Sequence, residues 1–111
     1  MLFAVGNHSK HLPIFECLEK FNVNILSSEQ KNISEHFASH QENKFSDIKY
    51  TEAKNGAAIL DGCLTHIECE IYEKREAGDH VIFILQTENF GEIDQTKQPL
   101  IYYKSEYGSI N

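Results

Sequence analysis

The sequence predicts an α+β fold dominated by antiparallel β-structure, closed into a barrel or a strongly curved sheet. Three observations carry this reading. The front half runs strand-like, helix-like, strand-like, helix-like in short stretches. From Ala57 onward the chain turns β-like, with Ile67, Cys69 and Ile71 alternating against His66, Glu68, Glu70 and Tyr72. Turn residues at 76–79 then lead into the continuous apolar run 81–85, for which a hairpin is the simplest connection. The chain has 111 residues, enough for one modest domain.

Each element has its own local signal. Leu2, Phe3, Ala4 and Val5 form a short apolar run that reads as a buried strand. Gly6, Asn7, His8 and Ser9 are turn residues, and Ser9 is the expected N-cap of a helix carrying Leu12, Phe15 and Leu18 on one face. Pro13 suits the first turn of that helix. Phe21, Val23 and Ile25 alternate with polar residues as a half-buried strand does. Ser27 and Gln30 have capping-box spacing ahead of a second helix, whose apolar face holds Ile33 and Phe37. Residues 41–56 are polar and weakly periodic, and are expected to form a loop into which Phe45, Ile48 and Tyr50 pack. In the back half Glu68 and Glu70 lie opposite Cys69 and are expected to face solvent. The run 81–85 reads as a strand covered on both faces. Phe90 and Gly91 close it, and the stretch from Pro99 to Tyr103 reads as the last strand.

Composition removes several classes of function. A net charge of −7 argues against nucleic acid and against anionic membrane surfaces. No apolar run approaches the roughly 20 residues that a membrane helix needs. The cysteines, Cys17, Cys63 and Cys69, form no CxxC pair, and their odd number favours free thiols in a reducing compartment, the cytoplasm. There is no GxGxxG or GxxxxGK[ST] motif, so a bound nucleotide would have to be held in another way.

Three groups of residues could carry chemistry. Gly6, Asn7, His8, Ser9, Lys10 and His11 lie between a strand and a helix, where amides, a hydroxyl and an ammonium group can hold a phosphate. The plainer reading is that Ser9 only caps the helix and Lys10 is solvated. Gly78, Asp79 and His80 stand at the entry to an apolar strand, where a histidine can donate to a ligand or exchange a proton near neutrality. The alternative there is a hairpin turn with a half-exposed histidine. His36 and His40 share helical spacing, but no third ligand is evident, and two solvated histidines rather than a metal site are expected.

Taken in order, several segments together resemble the flavin reductase-like family. They are Val5 through Pro13, Phe21 through Leu26, Gln30 through Ser39, Leu60-Asp61-Gly62-Cys63-Leu64, Glu68-Cys69-Glu70, Gly78-Asp79-His80 with its apolar strand, and Pro99 through Tyr103. The resemblance implies an FMN-binding split barrel, incomplete at its N-terminus, with residues 1–111 corresponding to the C-terminal two-thirds of the domain. It implies a homodimer that reduces FMN or FAD with NADH or NADPH and supplies reduced flavin to a monooxygenase. Carried over by position, Asn7, Ser9 and Lys10 approach the flavin phosphate or ribityl end, while Asn24, Ala38 and Ser39 line the isoalloxazine pocket. Gly78, Asp79 and His80 lie by the nicotinamide and flavin, with His80 as the catalytic candidate, and Tyr107 closes the C-terminal side. The chain departs from the family pattern at Asn7, often Arg, at His11, often Thr, and at Leu85, commonly Gly. The alternative function is a non-catalytic flavin-binding or dimerisation module left by truncation of such a reductase.

Overall fold

A computed structural model describes residues 1–39, 45, 47–104 and 106–109. Its centre is a four-stranded antiparallel sheet in the order β1-β6-β5-β2, formed by β1 (Leu2–Gly6), β2 (Lys20–Ile25), β5 (Thr65–Ala77) and β6 (His80–Phe90). Two hairpins stand beside it: β3 (Tyr50–Glu52) with β4 (Ala58–Leu60), and β7 (Leu100–Tyr103) with β8 (Glu106–Ser109). Helix α1 is Leu12–Cys17; α2 is Lys31–Ala38, entered through a 3-10 turn at Ser28–Gln30.

The alternation seen in the sequence decides which face of the sheet is apolar. Phe21 pairs with Cys69, Val23 with Ile67 and Phe3 with Phe83, so their side chains project to one side. Val5, Leu12, Cys69, Phe83 and Leu85 form the buried centre there. Phe83 is completely buried, stacks on Phe3 at 5.0 Å between ring centroids and lies 6.1 Å from Phe15 of α1. Burying one such ring contributes roughly 1.5–3 kcal/mol.

The β5–β6 hairpin curls because its register slips twice, between Glu68 and Cys69 and between Ile71 and Glu73. The second slip puts Tyr72 out into solvent. At the far end Gly78, with φ 60°, makes the tight turn.

Several expectations need correction. Ser9 is not the N-cap of α1: His11 is, and the Ser9 hydroxyl accepts the His11 N–H one turn too early, at 3.2 Å. Residues 50–52 are a strand rather than part of a loop, because they pair with 58–60 across the turn at Gly56. Leu100–Tyr103 is not the last strand, since β8 follows and pairs with it. On β6, Phe83 and Leu85 are buried, whereas Ile82 and Ile84 on the opposite face are only half-buried. Glu68 is 5% exposed rather than solvated. Its Oε2 accepts the Asn89 side-chain amide at 3.1 Å and lies 3.4 Å from His66 Nε2, and Lys54 and Asn55 of the β3–β4 hairpin line the same hollow. A carboxylate taken out of water needs such partners.

Candidate functional site

The sequence-predicted residues fall into two places. The first is the meeting of two turns. Strand β1 ends opposite the start of β6, with Gly6 in register with His80. The Asn7 N–H donates to the Asp79 carbonyl at 2.7 Å, which ties the turn after β1 to the β5–β6 turn. Asn7, Ser9, Lys10, Gly78, Asp79 and His80 therefore belong to one surface. Asn7 and Lys10 are exposed and Ser9 half-buried. His80 Nδ1 lies 2.8 Å from Asp79 Oδ1. That hydrogen bond holds the Asp79 carboxyl below its usual range. A Cβ on Gly6 would meet His80 Nε2 at 3.8 Å, so the imidazole lies across the glycine backbone.

The second place is a groove of about 880 Å³ between β2, α2 and the β3–β4 hairpin. Leu26, Ile33, Phe37, Ala57, Ala58 and Leu60 supply apolar wall, and Asn22, Asn24, Asn55 and Ser34 supply polar groups. Its size and mixed lining are those of a small-molecule cleft. Phe37, Phe45 and Tyr50 continue one wall as an edge-to-face aromatic series, with centroids 5.4 and 5.2 Å apart. Tyr107 reaches the groove through its hydroxyl, 3.0 Å from Ser34 Oγ, and its ring lies under Lys31 Nζ. Ala38 and Ser39 end α2 just after Phe37; Ala38 is exposed, and the Ser39 hydroxyl donates to the His36 carbonyl at 2.6 Å.

Asn24 has a distinct job in this wall. Its amide donates to the Ala58 carbonyl at 3.2 Å, and its Oδ1 accepts the Leu60 N–H at 2.9 Å. The side chain thus imitates a neighbouring strand's peptide group. Asn22 donates to the Ala57 and Ala58 carbonyls, each at 3.2 Å, and accepts the Asn55 amide at 2.8 Å. Sequence reasoning missed Asn22 and Asn55 as builders of the site. The available signal was the Asn-x-Asn spacing in β2, which places both amides on the face opposite Phe21 and Val23.

Of the described residues, none of the first group lines the groove; Asn24 does so directly, and Tyr107 joins it through Ser34. His40 lies outside the described residues. The Cys63 and Cys69 thiols are pushed up by burial, which disfavours the thiolate a nucleophile requires.

This curled, mostly antiparallel sheet with its flanking hairpins is a split barrel of the flavin-reductase class. Nitrilotriacetate monooxygenase component B homolog from Mycobacterium thermoresistibile shares it with a TM-score of 0.91 and 32% identity, over 99% of this chain and 62% of that one. The Flavin reductase like domain matches residues 1–111, and the chain belongs to that family. A flavin reductase of Pseudomonas putida is 34% identical over 97% of this chain and 63% of its own length. The flavin-dependent monooxygenase reductase subunit HsaB of Mycobacterium tuberculosis is 30% identical over 99% of this chain and 59% of its own. The chain thus spans about three-fifths of the length of these curated relatives.

Proposed function

We propose that this chain acts in NAD(P)H-dependent reduction of FMN or FAD and supplies the reduced flavin to a monooxygenase. The observation that carries the reading is the groove. It combines an aromatic and aliphatic wall with asparagine amides, which suits a heterocycle with polar edges. Family membership and the activities for which the relatives are named agree with it. Flavin and nicotinamide supply the hydride chemistry once both are bound. The protein contributes alignment. Ile33 and Phe37 offer an apolar face, the Ser34–Tyr107 pair offers hydroxyls, and Asn24 fixes the opposing strand. His80 presents a ring nitrogen and Asn7, Ser9 and Lys10 present polar groups on the linked turns.

In a homodimer, a second copy could bring its turn cluster toward the groove of the first. The three free thiols suit a reducing cytoplasm, and among the described residues no helix is long and apolar enough to cross a membrane. The second reading, a flavin-binding module without turnover, draws on the separation of the turn cluster from the groove within one copy. One experiment separates the two. FMN is titrated into the chain by fluorescence, and NADH and NADPH oxidation is then followed with excess FMN. Binding with turnover supports the reductase, binding without turnover supports the module, and neither result together with a folded chain sinks both.

A further inference from the structure

Asn55 and Gly56 lie in the turn between β3 and β4, and they are the only Asn-Gly pair in the sequence. In such a pair the glycine backbone nitrogen can attack the asparagine side-chain carbon, because no side chain on the glycine screens that nitrogen. The structure leaves the path open. Gly56 is exposed, and a Cβ placed on it would meet nothing within 4 Å. Asn55 Oδ1 accepts the Ala57 N–H at 3.1 Å, which holds the carboxamide beside the Gly56 peptide and draws electron density from Cγ. The restraint is the bond from the Gly56 N–H to the Ala53 carbonyl, 2.9 Å long. It closes an exposed turn between short strands, where main-chain bonds open readily. The same side chain also holds a wall of the groove. Its Nδ2 donates to Asn22 Oδ1 at 2.8 Å and to the Phe21 carbonyl at 3.4 Å.

We propose that Asn55 is a site of spontaneous deamidation, and that its conversion to aspartate or isoaspartate loosens the β3–β4 wall of the groove. The Gly56 nitrogen gives its proton to hydroxide and bonds to Asn55 Cγ. The Cγ–Nδ2 bond breaks, and Nδ2 takes a proton from water and leaves as ammonia. Water then opens the cyclic imide at either carbonyl, giving aspartate or isoaspartate with no change of oxidation state. The product has no donor for Asn22 Oδ1. Asn22 cannot turn its amide to meet the new carboxylate without giving up its bonds to the Ala57 and Ala58 carbonyls, each at 3.2 Å. The carboxylate also enters a hollow shared with Lys20, Lys54, Glu68, Glu70 and Glu88, where acids already outnumber ammonium groups. The inference concerns this chain alone and stands apart from the reductase reading.

The test ages the whole folded chain in mildly alkaline buffer and maps its peptides by mass. The peptide holding Asn55 should gain about 1 Da before any other asparagine peptide does. An isoaspartyl methyltransferase should then label it, since isoaspartate forms through the cyclic imide, whereas direct hydrolysis yields aspartate alone. Gly56→Ala puts a methyl group beside the attacking nitrogen and should slow the gain about tenfold or more. If that variant folds poorly at the φ of 85°, the isoaspartate label decides the route by itself. Amide protection at residues 57–60 should fall about tenfold in the aged chain and in Asn55→Asp made directly, with the central sheet unchanged. A first mass gain at another asparagine, no gain at Asn55, or a gain there without isoaspartate overturns the site. So does a folded Gly56→Ala variant that ages at residue 55 as fast as the parent. Conversion that leaves exchange at residues 57–60 as in the fresh chain overturns the loosening.

Discussion

Replacing Asn24 tests the architecture of the groove directly. Its amide nitrogen serves the Ala58 carbonyl and its oxygen serves the Leu60 N–H. Ala58 keeps a second donor in Asn22, so Asn24→Leu mainly orphans the Leu60 amide, on a residue only 9% exposed. An orphaned buried donor costs about 1–3 kcal/mol. For a domain of this size that is about 4–13 °C in Tm. Asn24→Asp is the sharper variant, because it keeps the acceptor for Leu60 and replaces the donor with a second anionic oxygen facing Ala58. The new carboxyl is then easier to protonate in the folded state than in the unfolded state. A group with a raised folded value favours folding at low pH, and that advantage is lost as pH rises through its titration. The deficit of Asn24→Asp should therefore shrink in acid, on approach to about pH 4, while that of Asn24→Leu should not. Thermal melts across pH, with amide exchange at residues 58–60, read both effects. A Tm for Asn24→Leu within about 1 °C of the parent, with unchanged exchange at Leu60, would refute the idea that this side chain joins the two sheets.

Other outcomes are equally specific. If the chain acts as the proposed reductase, His80→Ala should lower kcat by about tenfold or more in NADH oxidation while shifting stability by less than about 1 kcal/mol, since the ring is half exposed at a turn. Phe83→Ala removes the ring at the centre of the aromatic cluster and should cost about 3–5 kcal/mol by chemical denaturation; a loss under about 1 kcal/mol would mean that Phe83 is not in the core. Gly91→Ala places a Cβ 2.7 Å from His66 Nδ1, so it should destabilise by about 1–3 kcal/mol, and adding His66→Ala should relieve part of that. The Asp94 carboxyl is held below its usual range by hydrogen bonds from Thr96. A depressed carboxyl contributes stability above its unfolded value of 3.8 and loses it as pH falls through the folded one, so Asp94→Asn should flatten the acid arm of the stability curve below about pH 4.

Much of the fold was legible because apolar period and turn chemistry agreed. Phe21, Val23, Ile67 and Cys69 alternate as core-facing residues must, and Gly78-Asp79 marks the hairpin turn that links β5 to β6. Two of the misreadings share a cause, which is that a partner segment elsewhere in the chain decides the outcome. Glu68 looked solvated because the alternation of β5 assigns its face but not what lies against that face. Residues 50–52 looked like a loop because all three are exposed, and only pairing with residues 58–60 makes them a strand. At the candidate site, the contact between the turns at Asn7 and Asp79 joins residues 72 positions apart, a proximity that spacing does not encode. The job of Asn24 was hidden for the same reason, because its partners lie more than 30 residues away.

The attachment of the β3–β4 hairpin through asparagine side chains bears on how a ligand gets in. Main-chain ladders zip along their length, whereas a few amide contacts can release together and leave both sheets intact. The wall of the groove that holds Ala57, Ala58 and Leu60 can therefore open without breaking a main-chain ladder to the central sheet. A molecule wedged between that wall and α2 would clamp the hairpin shut and slow amide exchange at residues 50–60 more than in the central sheet. Entry to the groove and the breathing of this hairpin should then share one rate, set by the rupture of the contacts made by Asn22, Asn24 and Asn55.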